Sequence, residues 1–232
     1  SNLAVDLALC GDSVALGGHW SESAALYARA VRAGKNALEL MWPCALVQLA
    51  AGEEAAYRAN CALLLSQYDS HPMPQALVPI VLTLVAGETA VADMNRVLNL
   101  ATQAVDANPA DQLCAILLGA ARQRARHDDK ALMTLTAALS SVDLAPAVAG
   151  ERARLLVGRL VGEMLLAAAY RQRADRAALE KQLDSLRQLI AEIPTPAPQA
   201  SGSLPPWIAQ FAIEIAKREQ IRLSASITGD GN

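Results

Sequence analysis

The chain has 232 residues, 53% of them hydrophobic but only 3% aromatic, and a formal net charge of −3. So mild a charge argues against a nucleic-acid or membrane surface, and the length suits one or two compact domains. With a single phenylalanine, Phe211, the core must be built from Leu, Ala and Val.

No run of alternating β-branched and polar residues is bounded by turn residues, and Ala and Leu are strong helix formers, so the chain reads as all-α. No segment carries the roughly 18 uninterrupted apolar residues of a membrane span. Cys10, Cys44, Cys61 and Cys114 are widely separated, without a C-x-x-C pair, which argues against zinc, redox and disulfide frameworks. They read as reduced thiols of a cytoplasmic protein. Ser1–Asn2 resembles a scar left by tag cleavage, so the chain is expected to be a fragment of a longer protein.

In chain order, the pattern predicts helices over Leu3–Leu16, Ser21–Arg32 and Asn36–Ala50, the third kinked or truly started by Pro43. Glu53–Glu54 open a fourth helix reaching Tyr68, and Ser70–Pro74 is a turn. A fifth helix covers Gln75–Val85. Asp93 caps a sixth that stops at Asn108–Pro109. Helices follow over Asp111–Arg124 and Asp128–Ser140. After a break at Asp143–Pro146 come two longer ones, Val148–Gln172 and Asp175–Ile193. Residues 194–206 form a Pro-rich linker, Trp207–Leu223 a last amphipathic helix, and 224–232 a loose tail.

The second helix of each pair repeats a stripe at i, i+4 and i+7. The stripe reads Ser23, Tyr27, Ala30; Tyr57, Cys61, Leu64; Val97, Ala101, Ala104; and Ala131, Leu135, Ala138. Successive steps are 34 (30 to 64), 40 (64 to 104) and 34 (104 to 138), and extra loop residues near Ala86–Asp93 account for the longer one. Gly11 and Gly119 fall where a small residue lets the helices of a pair cross closely.

On this period and these small residues the chain resembles the tetratricopeptide repeat superfamily over roughly residues 3–193. The resemblance implies a right-handed solenoid of antiparallel helix pairs, about five, followed by the C-terminal helix. The order Leu49–Cys61, Val85–Asp93 and Ala101–Pro109 is similar to helical repeat arrays found C-terminal to bacterial Ser/Thr protein kinase domains and WD40-type proteins. That implies an accessory interaction module of a signalling or regulatory protein. No kinase motif is present.

In such arrays the first helix of each pair lines a concave, peptide-binding face, and some members carry a basic clamp for a terminal carboxylate. The corresponding positions here are Ala8 and Asp12, Trp42 and Leu46, and Ile116 and Ala120, so the clamp is missing. The expected partner site is therefore apolar: Trp42 as anchor, with Leu46, Leu49, Ile116, Ala120 and Arg124. Trp20 is expected to pack between units. Arg122, Arg124 and Arg126, with Arg171, Arg173 and Arg176, could form a patch for an acidic partner, although Asp128, Asp129 and Asp175 weaken it.

Trp207, Ile208, Phe211 and Ile215 share one helical face. They are expected to dock into the chain's own groove or a neighbour's. His19, His71 and His127 lie on different turns, and no acid, base and nucleophile converge, so no enzyme, cofactor or metal is expected. The expected function is a non-enzymatic scaffold binding a protein, a peptide or another domain of its own full-length chain. A self-associating homo-oligomer whose groove is filled by its own C-terminal helix is the alternative.

Overall fold

Four of the tight turns in this protein are built the same way. In each, an N–H reaches back five residues: His19 to the Val14 carbonyl (3.2 Å), Glu53 to Gln48 (2.8 Å), His127 to Arg122 (2.9 Å) and Asp175 to Tyr170 (3.1 Å). The residue just before each donor has positive φ: Gly18 (75°), Gly52 (79°), Arg126 (62°) and Ala174 (56°). This is the Schellman closure, which satisfies the last carbonyls of one helix and turns the chain into the next. Gly18 and Gly52 adopt it freely; Arg126 and Ala174 do so at a steric cost.

The computed structural model describes residues 2–35, 37–68, 74–88, 90–141, 149–193 and 205–229. Most of the expected 70–74 turn, the 143–146 break and residues 194–204 of the linker lie outside them. Among the described residues the regular structure is entirely helical: α1 Leu3–Leu16, α2 Trp20–Ala33, α3 Leu38–Ala50, α4 Glu54–Tyr68, α5 Leu77–Ala86, α6 Met94–Ala107, α7 Gln112–Arg124, α8 Asp128–Ser140, α9 Ala149–Gln172, α10 Arg176–Glu192 and α11 Ile208–Gly229.

Most boundaries shift by a residue or two, and two differences from expectation bear on the packing. Helix α3 runs unbroken through Pro43, so that residue does not mark its start. All but one of the residues from Met41 to Ala50 are buried, and the packing outweighs the lost backbone bond. Helix α11 continues to Gly229, so residues 224–229 are helix rather than loose tail. Leu223 is buried beside Leu179, Leu183 and Ala167, with Ile227 packed against them, which anchors this extra length.

Helices pack in hairpins, α1 on α2, α3 on α4, α5 on α6, α7 on α8 and α9 on α10. The first helices also pack in series, α3 on α5, α5 on α7 and α7 on α9, giving a continuous inner layer. All twelve stripe residues of α2, α4, α6 and α8 are buried. A methyl placed on Gly11 would stand 2.8 Å from the Tyr27 ring, and one on Gly119 would stand 2.7 Å from Leu135. These are the close crossings expected from sequence. In α10 the stripe recurs at Leu179, Leu183 and Leu186, a fifth copy displaced chiefly by the greater length of α9. The all-α array of helix pairs expected from the repeat is thus the observed architecture.

Candidate interaction site

Helix α11 differs from the others in how it is buried. From Trp207 to Ala216 all residues are buried except the partly buried Gln210 and Glu214. Beyond Ala216 the helix becomes amphipathic, with Leu223 turned inward and Ile221 exposed. A helix covered on nearly all sides is an inserted element rather than a surface cap. It lies against α9, α10 and α3, and reaches the first pair through Trp207. Helices α3, α9 and α10 are therefore covered in part by the chain's own C-terminal helix. Trp207, Ile208, Phe211 and Ile215 all take part in that burial.

The head of α11 sits in an aromatic socket. The Trp207 ring meets Trp20, Tyr27 and Phe211 edge-to-face at 6.1, 6.3 and 6.3 Å. Its indole N–H donates to Asp12 Oδ1 at 2.6 Å, and the Tyr27 hydroxyl donates to the same oxygen at 2.5 Å. Burial, reinforced by Asp12, pushes the Tyr27 phenol well above its ordinary range, so it remains a donor. The Ser23 hydroxyl donates to the Gly11 carbonyl at 2.9 Å and fixes α1 on α2 beneath the socket.

The tail of α11 is tied by charge. Arg222 donates through both terminal nitrogens to Glu88, at 3.0 and 2.6 Å. Arg124 stands 3.9 Å from the same carboxylate. Burial acts to raise the Glu88 carboxyl, but the hydrogen bond and charge of Arg222, with Arg124 and Arg171, outweigh it and hold the group below its usual range. Glu88 is positioned by the end of α5. There the Tyr57 hydroxyl donates to the Thr83 carbonyl (2.6 Å) and accepts from the Gly87 N–H (2.9 Å).

The six residues expected to bind a partner do not form an open surface. Trp42 and Leu46 are buried in α3, on which α11 packs, while Leu49 is half-buried beside Ile215 and Arg218. Ile116 and Ala120 are also buried; Ile116 faces α9, 3.2 Å from where a Gly162 methyl would stand. Arg124 is a structural cap: its side chain is only 7% exposed and donates to the Val85 and Ala86 carbonyls at the end of α5. Trp20 and Tyr27, expected to serve packing between helices alone, form the socket for Trp207. Of the concave positions inferred from the repeat, Asp12 is the one that makes the specific contact.

The arginine-rich patch is dispersed as well. Arg122 bonds the Thr134 hydroxyl, Arg173 pairs with Asp129, and Arg176 pairs with Glu180 at 2.9 Å. The Gln172 amide stands within 3.0 Å of polar atoms of Asp128, Gln123 and Arg126. Among the described residues no three His, Cys, Asp or Glu side chains gather as a metal site. Nor, among them, is any helix long and apolar enough to cross a membrane.

No family model matches the chain, and no curated protein does. Solved structures similar to it include TTC0263, a thermophilic tetratricopeptide repeat protein of Thermus thermophilus. That match has 19% identity and a TM-score of 0.46, covering 80% of this chain and 99% of that one. Another is a mutant form of MamA, with 16% identity and a TM-score of 0.44, covering 80% of this chain and 96% of that one. The all-helical array of packed helix pairs stands on the structure itself.

Proposed function

We propose that this protein is a non-enzymatic protein-interaction module whose concave groove holds an amphipathic helix, with α11 as the resident. The observation that carries this reading is the burial of Trp207–Ala216 on nearly all sides. Such an inserted helix is the occupant a repeat groove is shaped to take, with apolar anchors at helical spacing. The apolar concave face expected from sequence is thus a receptor surface covered in cis.

Self-association through α11 is the second reading, because a copy's α11 would make the same contacts in trans. A covalent connection as short as residues 194–204 gives an effective concentration on the order of millimolar. Exchange between copies therefore prevails only when protein concentration approaches that value. The residue order similar to arrays beside bacterial kinase and WD40-type proteins supports a regulatory setting. Cys44 and Cys61 support a reducing, cytoplasmic one: both are unpaired, and burial pushes each thiol up to about 12.

The test is to place a protease site within residues 194–204, fold the full chain, cut it, and titrate a labelled peptide of residues 205–229. Saturable binding to the cut chain at micromolar concentration or below is expected, with the intact chain excluding the peptide. A cut chain that retains its fold and ignores the peptide would sink the reading.

A further inference from the structure

The geometry points to a two-point code in the groove, which selects a helix with a tryptophan at its head and an arginine near its tail; α11 is the built-in competitor of such a partner. This inference rests on the proposed groove function and narrows it to a partner chemistry: a helix of another protein with α11's pattern.

At the head, Asp12 presents one oxygen to an indole N–H inside a ring of Trp20 and Tyr27. Phenylalanine fits the rings but offers nothing to that oxygen, and leucine offers neither edge nor donor. At the tail, Glu88 presents both oxygens to a guanidinium, a geometry that lysine cannot match. Helix rise puts Trp207 and Arg222 about 22 Å apart along α11. The two acids therefore read one helix, in one direction, with Phe211 and Ile215 filling the apolar floor between them.

The two points differ in weight. Trp207 is fully buried, so its hydrogen bond to a carboxylate persists in salt and is worth tenfold or more in affinity, as an order of magnitude. The Arg222 and Glu88 side chains are 39% and 49% exposed, and an ion pair so open to water is worth roughly threefold and is screened by salt. The head sets affinity, and the tail sets register and direction.

A tethered competitor has a defined consequence. A partner helix of equal quality meets a groove already filled at millimolar effective concentration, so its apparent affinity for the intact chain falls by about a thousandfold if its own Kd is micromolar. Cutting the tether, or weakening α11 by Trp207→Phe, restores access.

The experiment is a pair of double-mutant cycles on the tether-cut full chain with labelled 205–229 peptides. One cycle combines Asp12→Ala in the array with Trp207→Phe in the peptide; the other combines Glu88→Gln with Arg222→Gln. The expected result is coupling in both: loss of the indole costs the wild-type groove about tenfold and the Asp12→Ala groove much less. The Glu88 cycle should show about threefold coupling that disappears in 1 M salt.

Additive effects in both cycles, with peptide binding intact, would overturn the code while leaving the groove function standing. Absence of any peptide binding would remove the groove function itself. Light scattering on the intact chain supplies the remaining outcome. A dimer forming at micromolar concentration, and lost in Trp207→Phe, would make the occupant a second copy and overturn the assignment to a separate partner.

Discussion

Asp12 Oδ1 takes two hydrogen bonds inside the socket, so its removal leaves both the Tyr27 hydroxyl and the Trp207 indole without an acceptor. Asp12→Ala should cost about 2–3 kcal/mol in urea unfolding, whereas Asp12→Asn, which keeps a carbonyl oxygen, should cost less. Glu88 and Glu163 give opposite responses to pH. Glu88 is held below the ordinary carboxylate range in the folded chain, so its stabilisation is present at neutral pH and lost as pH falls through its depressed folded value. Burial raises Glu163, against the pull of Arg159, Gln182 and Ser185. The folded chain thus binds that proton more tightly, and stability contributed by Glu163 grows as pH falls through the raised value. Thermal melts between pH 7 and 4 should show the penalty of Glu88→Gln shrinking on acidification. Glu163→Gln should lie above wild type at pH 7 and converge with it in acid.

Among the elements, the Schellman turns show how local conformation and tertiary packing share control. Ala174 carries φ of 56° between α9 and α10, a conformation that costs a residue with a Cβ roughly 1 kcal/mol relative to glycine. Ala174→Gly should therefore raise the unfolding free energy by about that amount, checked by denaturant midpoint at constant m-value. Arg126 occupies the same position, and its contact with Gln172 offsets part of the strain. Helix α9 is buried on most sides because α7, α8, α10 and α11 surround it. Its apolar residues consequently wrap the helix instead of forming one stripe, which obscured the fifth repeat in the sequence.

In the whole molecule, a repeat array ordinarily couples only neighbouring units. Here α11 reaches the first pair through Trp207, the second through α3, the third through Glu88 and the fifth through α9 and α10. That bridge should make unfolding cooperative along the full array. Trp207→Ala should lose about 3–5 kcal/mol and separate the fluorescence and circular dichroism transitions, with a lower m-value. A variant that still unfolds in one coincident transition with wild-type m-value would show that α11 carries no long-range coupling.

The helices, their pairing and the buried stripe were legible from the chain alone. The 3.6-residue period, the 34-residue step and the glycines at crossings are local properties, set by backbone geometry and by residues close in sequence. The C-terminal face Trp207, Ile208, Phe211 and Ile215 was legible for the same reason. Where that face lands was not. The Asp12–Trp207 bond joins residues 195 positions apart, and nothing in either local pattern marks the other as partner. Tertiary structure alone placed α11 against α3, α9 and α10, turned Trp20 and Tyr27 into the socket for Trp207, buried Trp42 and Leu46 in the core, and made Arg124 a cap. Burial and charge pairing depend on which surfaces meet, and that is decided by the course of the whole array rather than by any one helix.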